Sequence, residues 1–386
     1  MAYAQAAAVL ALVTACAAPV TAPPFSPSPA AVATLRPASF ATIPGWRADD
    51  QRDGWEAFLR SCAALSSQPA WGEVCTEASA LAPAESEAVR RFFVSRFTPY
   101  QVVNPGGSEH GLITGYFEPL LRGSRTASGP YRYPLYGVPD DLLVVDLSEV
   151  YPELRHLRLR GRIEGRRVVP YHSRVEIESG RARLEGREIL WVDDPLDLFF
   201  LQVQGSGRVQ LDTGETVHVG YADQNGHPYT SIGRTLVERG ELTAEEASMQ
   251  GIRAWAARSP GKVAEQLGQN ASYVFFRELP ASGPGPLGTL GVPLTAGRSL
   301  AVDARSIPLG APVFLATTWP RSAEPLQRLM LAQDTGGAIK GGVRADVFWG
   351  FGAEAGELAG RMREQGRLWV LLPRGYPPDA IQTSGR

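Results

Sequence analysis

Ala301-Val-Asp-Ala-Arg-Ser-Ile-Pro308, Ala332-Gln-Asp-Thr-Gly-Gly-Ala338 and Arg344-Ala-Asp-Val-Phe-Trp-Gly350 follow one another near the C-terminus. Each sets one aspartate, Asp303, Asp334 or Asp346, in a short strand-like segment beside Gly or Pro. A fold that brings strand ends together would gather the three carboxylates in one cleft. Like charges held close raise the proton affinity of at least one member, which makes a general acid usable near neutral pH. A lone Asp in a loop is more often a turn former or a cap. It is the trio that points to chemistry.

Working outward, the chain reads as helices, then strands, then helices, then strands. Helical stretches are expected around Trp55–Leu65 and Ser86–Phe97, where Val89, Phe92, Phe93 and Phe97 recur at helical spacing. From Gly111 the pattern turns β, with short apolar runs such as Leu112–Phe117, Leu142–Val145 and Ile189–Val192 separated by Gly and Pro. Leu198–Val219 reads as paired strands. Helices return over Thr243–Ala257, with Thr243 and Glu246 as a capping box, and after Ser259-Pro260. A last helix is expected over Glu354–Gln365, capped by Gly366, before the buried strand Leu368–Leu372. This order is satisfied by a β module, about 119–234, inserted into a domain formed by the flanking parts, with a ligand cleft between them.

The 386 residues suggest two domains, and 44% hydrophobic residues can build a substantial core. With 38 basic against 40 acidic side chains, nucleic acid is not the expected partner. Gly 41 and Pro 31 suit a turn-rich β architecture. Residues 1–16 read as a targeting segment whose Val13-Thr-Ala-Cys16 resembles a lipoprotein signal, with Cys16 lipidated; the alternative is an ordinary secretory signal cleaved near Ala15 or Ala18. Residues 17–45, rich in Ala, Pro, Ser and Thr, form a tether. No later apolar run approaches the roughly 20 residues that span a bilayer. Cys62 and Cys75 then remain, either as a bridge or as two buried thiols.

Asp-Thr-Gly occurs twice, at Asp212–Gly214 and Asp334–Gly336, which raises the pattern of an aspartic protease. The first triplet lies between alternating runs and reads better as a hairpin turn, and the two triplets differ in their surroundings, with Leu211 before one and Gln333 before the other, which disfavours a protease dyad. The five histidines are scattered without metal-ligand spacing, so neither a metal nor a cofactor is expected. Gln202 and Gln204, read on a strand beside Gly205-Ser206-Gly207, would aim two amides at one face and could hold sugar hydroxyls, or simply face solvent. Thr114 and Tyr116, in Thr114-Gly-Tyr-Phe-Glu-Pro119, offer a hydroxyl and an aromatic ring.

Thr114–Pro119, Trp191-Val-Asp-Asp-Pro-Leu-Asp-Leu-Phe-Phe-Leu-Gln-Val-Gln-Gly-Ser-Gly207, Asn225-Gly-His-Pro-Tyr-Thr-Ser-Ile-Gly233 and the three-Asp tail together resemble the membrane-bound lytic murein transglycosylase A (MltA) family, over roughly residues 50 to 375. The resemblance implies a mainly β fold with flanking helices: a double-psi β-barrel from 46–118 and 235–386, with its 3D segment at about 298–374, and an inserted β domain at 119–234. It implies cleavage of the β-1,4 bond between N-acetylmuramic acid and N-acetylglucosamine in peptidoglycan, giving 1,6-anhydromuramoyl ends. Asp346 matches the catalytic acid/base and Asp334 and Asp303 the supporting positions. Thr114, Tyr116, Gln202, Gln204, Gly205, Ser206, Gly336 and Gly337 are the expected glycan-binding residues. No cofactor, a lipid anchor on the periplasmic face of the outer membrane and a monomer are expected, with room for contacts to cell-wall synthesis or division proteins. The alternatives are a hydrolase that uses water and a non-catalytic peptidoglycan-binding lipoprotein.

Overall fold

The computed structural model describes residues 32–81, 85–154, 157–280 and 285–378. The expected signal, the lipidated Cys16 and the first part of the tether lie outside the described residues. The chain opens with β1 (Thr34–Pro37), α1 (Trp55–Leu65), α2 (Pro69–Ala80), α3 (Ser86–Arg96), β2 (Phe97–Val103) and β3 (Gly111–Glu118). Its middle carries β4 (Leu120–Ser124), β5 (Tyr133–Tyr136), β6 (Leu143–Val144), β7 (Arg160–Glu164), β8 (Arg167–Pro170), α4 (Arg174–Glu178), β9 (Glu188–Val192), α5 (Pro195–Gln204), β10 (Ser206–Leu211) and β11 (Thr216–Gln224). There follow α6 (Ile232–Glu238), α7 (Met249–Arg258), α8 (Val263–Gly268), β12 (Val274–Leu279), β13 (Ser299–Val302), β14 (Pro312–Thr318), β15 (Pro325–Asp334), β16 (Ala345–Phe351), α9 (Ala353–Arg361) and β17 (Arg363–Pro373).

The fold is mostly β with helices packed on it. Among the described residues, strands from both ends of the chain share one sheet, in the order β1-β2-β17-β14-β15-β13-β16-β3. β17 is long enough to bond three neighbours. Arg363–Gly366 pair with β3, Arg367–Val370 with β14, and Trp369–Pro373 with β2. The β17–β3 pairing closes β17, β14, β15, β13, β16 and β3 into a ring, which removes free edges from that part of the sheet. Both faces of β17 are covered, so Leu368–Leu372 is a continuous apolar run rather than an alternating one. The helices α1 to α3 supply one cover, where Trp55, Phe58, Phe92, Phe93 and Phe97 pack ring on ring. A disulfide joins Cys62 of α1 to Cys75 of α2.

A second sheet, in the order β12-β11-β10-β4-β9-β5, comes from the middle of the chain, and β6, β7 and β8 form a small third sheet. The second sheet reaches past the expected limit at residue 234, because β12 pairs with β11. Asp212-Thr-Gly-Glu215 is the turn between β10 and β11, with Gly214 at φ 88° and the Leu211 N–H donating to the Glu215 carbonyl. The first Asp-Thr-Gly is therefore a hairpin turn.

Three local expectations are corrected. The segment 195–204 is a helix, not a strand. Asp194 caps it by accepting from the Leu196 and Asp197 N–H groups, and Pro195 sits at its first position. The bonds between Thr243 and Glu246 form, yet α7 starts later, where Ser248 accepts from the Gly251 N–H. The last helix ends at Arg361 and Gly366 lies within β17. A Cβ there would meet Ile113 at 2.5 Å, so glycine is needed where β17 crosses β3. Replacing Cys62 and Cys75 by Ser should lower unfolding free energy by about 2–4 kcal/mol, read by denaturant titration under non-reducing conditions.

Candidate active site

Asp334 and Asp346 come together through β13, which lies between β15 and β16. Ala301 of β13 stands opposite Asp346 on one side and Asp334 on the other. On its far side Asp346 is in register with Thr114 of β3. The four residues make one row across four strands. The row depends on an irregularity in pairing: Leu300 faces Ala332, but Ala301 faces Asp334. The extra residue, Gln333, turns inward. It donates to the Ala57 carbonyl and to Ser61 Oγ, and accepts from Ser299 Oγ, so α1 is tied to the bulge.

Both carboxyls are held by hydroxyls. Thr114 Oγ1 donates to Asp346 Oδ1 at 2.7 Å. Arg344 Nη1 donates to the same Thr114 oxygen at 2.9 Å, and also to the Leu112 and Ala345 carbonyls. Because Thr114 Oγ1 accepts from Arg344, its single proton is directed at Asp346. Asp334 Oδ1 accepts from the Thr289 N–H, the Thr289 hydroxyl and the Thr335 N–H, each at 2.9 Å. Its Oδ2 accepts from the Tyr116 hydroxyl at 3.0 Å. Tyr116, Leu294, Ala301, Ile339 and Phe348 form a buried apolar cluster beside the two acids.

That setting raises both proton affinities. Burial pushes the Asp346 carboxyl above the ordinary carboxylate range and the Asp334 charge adds to it, against the Thr114 bond and the Arg344 charge. Burial also raises Asp334, partly offset by its bonds from Thr289, Thr335 and Tyr116. Tyr116 lies well above the usual phenol value, through burial and then through the charges of Asp334 and Asp346, and stays a donor. Asp303 differs. Burial would raise it, but bonds from Arg305 and the Gly341 N–H outweigh that and hold it below the ordinary range. Its carboxylate pins the loop after β13 to the loop before β16.

The other expected residues divide. Thr114 and Tyr116 stand at the acid pair. Gly336 and Gly337 lie in the loop that follows Asp334, where a side chain on Gly337 would meet open space. Gly205 is the left-handed cap of α5 at φ 83°, and Ser206 opens β10 opposite Gly220. Gln202 and Gln204 do not share a face. Gln202 is buried and accepts from Arg174 Nη2 at 2.5 Å. Arg174 is itself buried, donates to the Asn270 and Ser272 carbonyls, and lies over Phe199 and Tyr273. Gln204 Oε1 accepts from the Phe117 N–H at 3.0 Å, tying α5 to β3. Their period-2 reading failed because a helix that is apolar on most sides shows no polar stripe. Asp194-Pro195 was the signal for it. Arg344 and Thr289 are site residues that the sequence reading passed over. Arg344 lies two positions before Asp346, in the loop just ahead of β16, where no periodic pattern marks it.

A closed β ring that carries two desolvated carboxyls suits acid/base chemistry on a bound ligand. The MltA specific insert domain matches residues 112–277 and the 3D domain matches residues 298–372. Membrane-bound lytic murein transglycosylase A of Escherichia coli strain K12 is 36% identical over 276 residues, spanning 69% of this chain and 67% of that protein. The crystal structure of MltA from Neisseria gonorrhoeae is 41% identical with a TM-score of 0.75, and the match covers 91% of this chain and 97% of that one. E. coli MltA with bound chitohexaose is 28% identical with a TM-score of 0.65, covering 90% of this chain and 95% of that one. The chain belongs to the membrane-bound lytic murein transglycosylase A family.

Substituting Gln202→Leu should cost about 1–3 kcal/mol by leaving a buried guanidinium without one acceptor, with glycan affinity of the folded fraction unchanged. Parallel thermal melts and binding isotherms check this.

Proposed function

We propose that the protein is a peptidoglycan lytic transglycosylase with Asp346 as its single acid/base. The observation that carries this reading is the Asp346 carboxyl itself, raised by burial while Thr114 holds one of its oxygens. Oδ1 is engaged as an acceptor, so Oδ2 is left to hold the transferable proton. That oxygen donates to the glycosidic oxygen as the β-1,4 bond between N-acetylmuramic acid and N-acetylglucosamine breaks. An oxocarbenium-like centre forms on the muramoyl ring. The ionised Asp346 then takes the proton of the same sugar's C6 hydroxyl, which attacks C1 and gives the 1,6-anhydro end. The nucleophile is intramolecular, so no second carboxyl has to activate water. Asp334 keeps the neighbouring charge and Tyr116 in place, and Asp303 holds the loops.

In this reading the six-stranded ring is a double-psi barrel, and the second sheet forms the other wall of a groove for glycan strands. The E. coli relative with chitohexaose bound supports a sugar-polymer ligand. Thr114, Tyr116, Ser206 and the Gly336-Gly337 loop face that ligand. Among the described residues no helix is long and apolar enough to cross a membrane. Lipidation at Cys16 would hold a monomeric enzyme at the periplasmic face of the outer membrane.

Asp346→Asn should lower turnover of purified sacculi by at least about 10²–10⁴-fold while the circular dichroism spectrum is retained. Mass spectrometry of the wild-type products should give anhydromuramoyl ends; reducing muramoyl ends would instead identify a hydrolase. A general acid must be protonated, so activity falls as pH rises through the Asp346 pKa. Thr114→Val removes a bond that lowers that pKa, so the alkaline limb of the rate–pH profile should move to higher pH. A limb unmoved or displaced downward would contradict the assignment of the proton to Asp346.

A further inference from the structure

Three cations gather beside the loop that follows Asp334. Arg305 is paired with Asp303 at 2.6 Å. Lys340, on that loop, is exposed, and so is Arg158, which precedes β7. Among the described residues neither has an ion-pair partner. Arg158 reaches across to the acid pair: its Nη2 donates to Thr335 Oγ1 at 3.3 Å, and its guanidinium lies 5.9 Å from the centre of the Tyr221 ring. Thr335 Oγ1 is 2.8 Å from Thr289 Oγ1, which donates to Asp334 at 2.9 Å. Arg158 is therefore joined to the Asp334 carboxyl through two hydroxyls.

Although the residue as a whole is exposed, partial desolvation of its ammonium first, and then the charges of Arg305 and Arg158, push Lys340 below its ordinary range, against the pull of Asp303. Asp303 is already engaged by Arg305 and the Gly341 N–H. Lys340 on this loop and Arg158 bonded to its Thr335 are in no ion pair among the described residues, and an anion bound between them would relieve their mutual repulsion. A guanidinium keeps several donors available in a fork that matches a carboxylate.

We infer that Arg158 and Lys340 form a carboxylate-binding rim that recognises the acidic group of the muramoyl residue. This rests on the reading of the site as one for muramoyl glycan. The muramoyl sugar carries a lactyl ether at C3. In a peptide-free strand that ether ends in a carboxylate, and in an intact strand it carries a peptide with carboxylates of its own. A polymer of N-acetylglucosamine alone has neither. The rim would thus separate murein from neutral glycans of the same backbone, and would fix which sugar lies over Asp346.

The test is a binding comparison in the Asp346→Asn protein, with soluble peptide-free glycan strands, peptide-bearing strands and chitohexaose as probes. Arg158→Gln combined with Lys340→Gln should weaken binding of muramoyl glycan by about tenfold and leave chitohexaose within about twofold. The charge-keeping pair Arg158→Lys with Lys340→Arg should restore most of the loss. Weakened binding of peptide-free strands assigns the lactyl carboxylate, and a loss confined to peptide-bearing strands assigns the peptide. Unchanged affinity for every muramoyl probe, or an equal loss on chitohexaose, overturns the rim. Failure of the underlying reading looks different, since Asp346→Asn alone would then keep its lytic rate on sacculi.

Discussion

The bulge at Gln333 of β15, opposite Leu300 and Ala301, is the constraint on which the site depends. Without it Gln333 would stand opposite Ala301, and the Asp334 side chain would leave the row shared with Asp346 and Thr114. The position between the two acids is an alanine, which keeps space clear above the strand that separates them. The displaced Gln333 is not wasted. It bonds to α1 and to Ser299, so the irregular backbone is held from behind by three hydrogen bonds. Packing of the aromatic helices and placement of a carboxyl are therefore parts of one arrangement.

A raised proton affinity at Asp346 comes from a contest that burial wins. Thr114 and Arg344 oppose it, and both also fix geometry. Stripping the site of those opposing groups would raise the affinity further but would free the carboxyl to rotate. The arrangement gives up some of the shift to hold one oxygen still. Asp303 shows the opposite balance with the same residue type. An Arg and two N–H donors keep it ionised, and its work is to join loops. Three aspartates in one short region thus serve different ends because their donors differ in charge.

The acid pair was legible in the sequence because strand-like segments bounded by Gly or Pro are recognisable locally, and three such segments each carried an aspartate. The aromatic helices α1 and α3 and the hairpin at Asp212–Glu215 were legible for the same reason: 3.6-residue spacing and turn residues are local signals. What failed was non-local. Gln202 has the spacing of a strand amide, but its partner, Arg174, lies in another element and becomes visible only when α4, α5 and the segment before β12 meet. Gly366 looked like a helix cap because the strand it serves, β3, is far away in the chain. Arg344 gave no periodic signal of its own, and its value comes from a threonine contributed by β3.

The crossing from the first sheet to the second occurs at Glu118–Leu120, and the chain is fastened there from three sides. Arg208 of β10 donates its N–H to the Pro119 carbonyl at 2.8 Å and pairs with the buried Glu118 carboxylate at 3.5 Å. Its guanidinium also lies 3.8 Å from the centre of the Phe351 ring, at the end of the strand that carries Asp346. Gln204 holds the Phe117 N–H from the end of α5. Burial raises the Glu118 carboxyl and outweighs the opposing pull of Arg208, so removing the Arg208 charge would leave a buried acid without its partner. The residues that fix how the second sheet approaches β3 are thus bonded to the same two strands, β3 and β16, that present Thr114 and Asp346. A second sheet that shifted at this crossing would pull on the strands that carry Thr114 and Asp346.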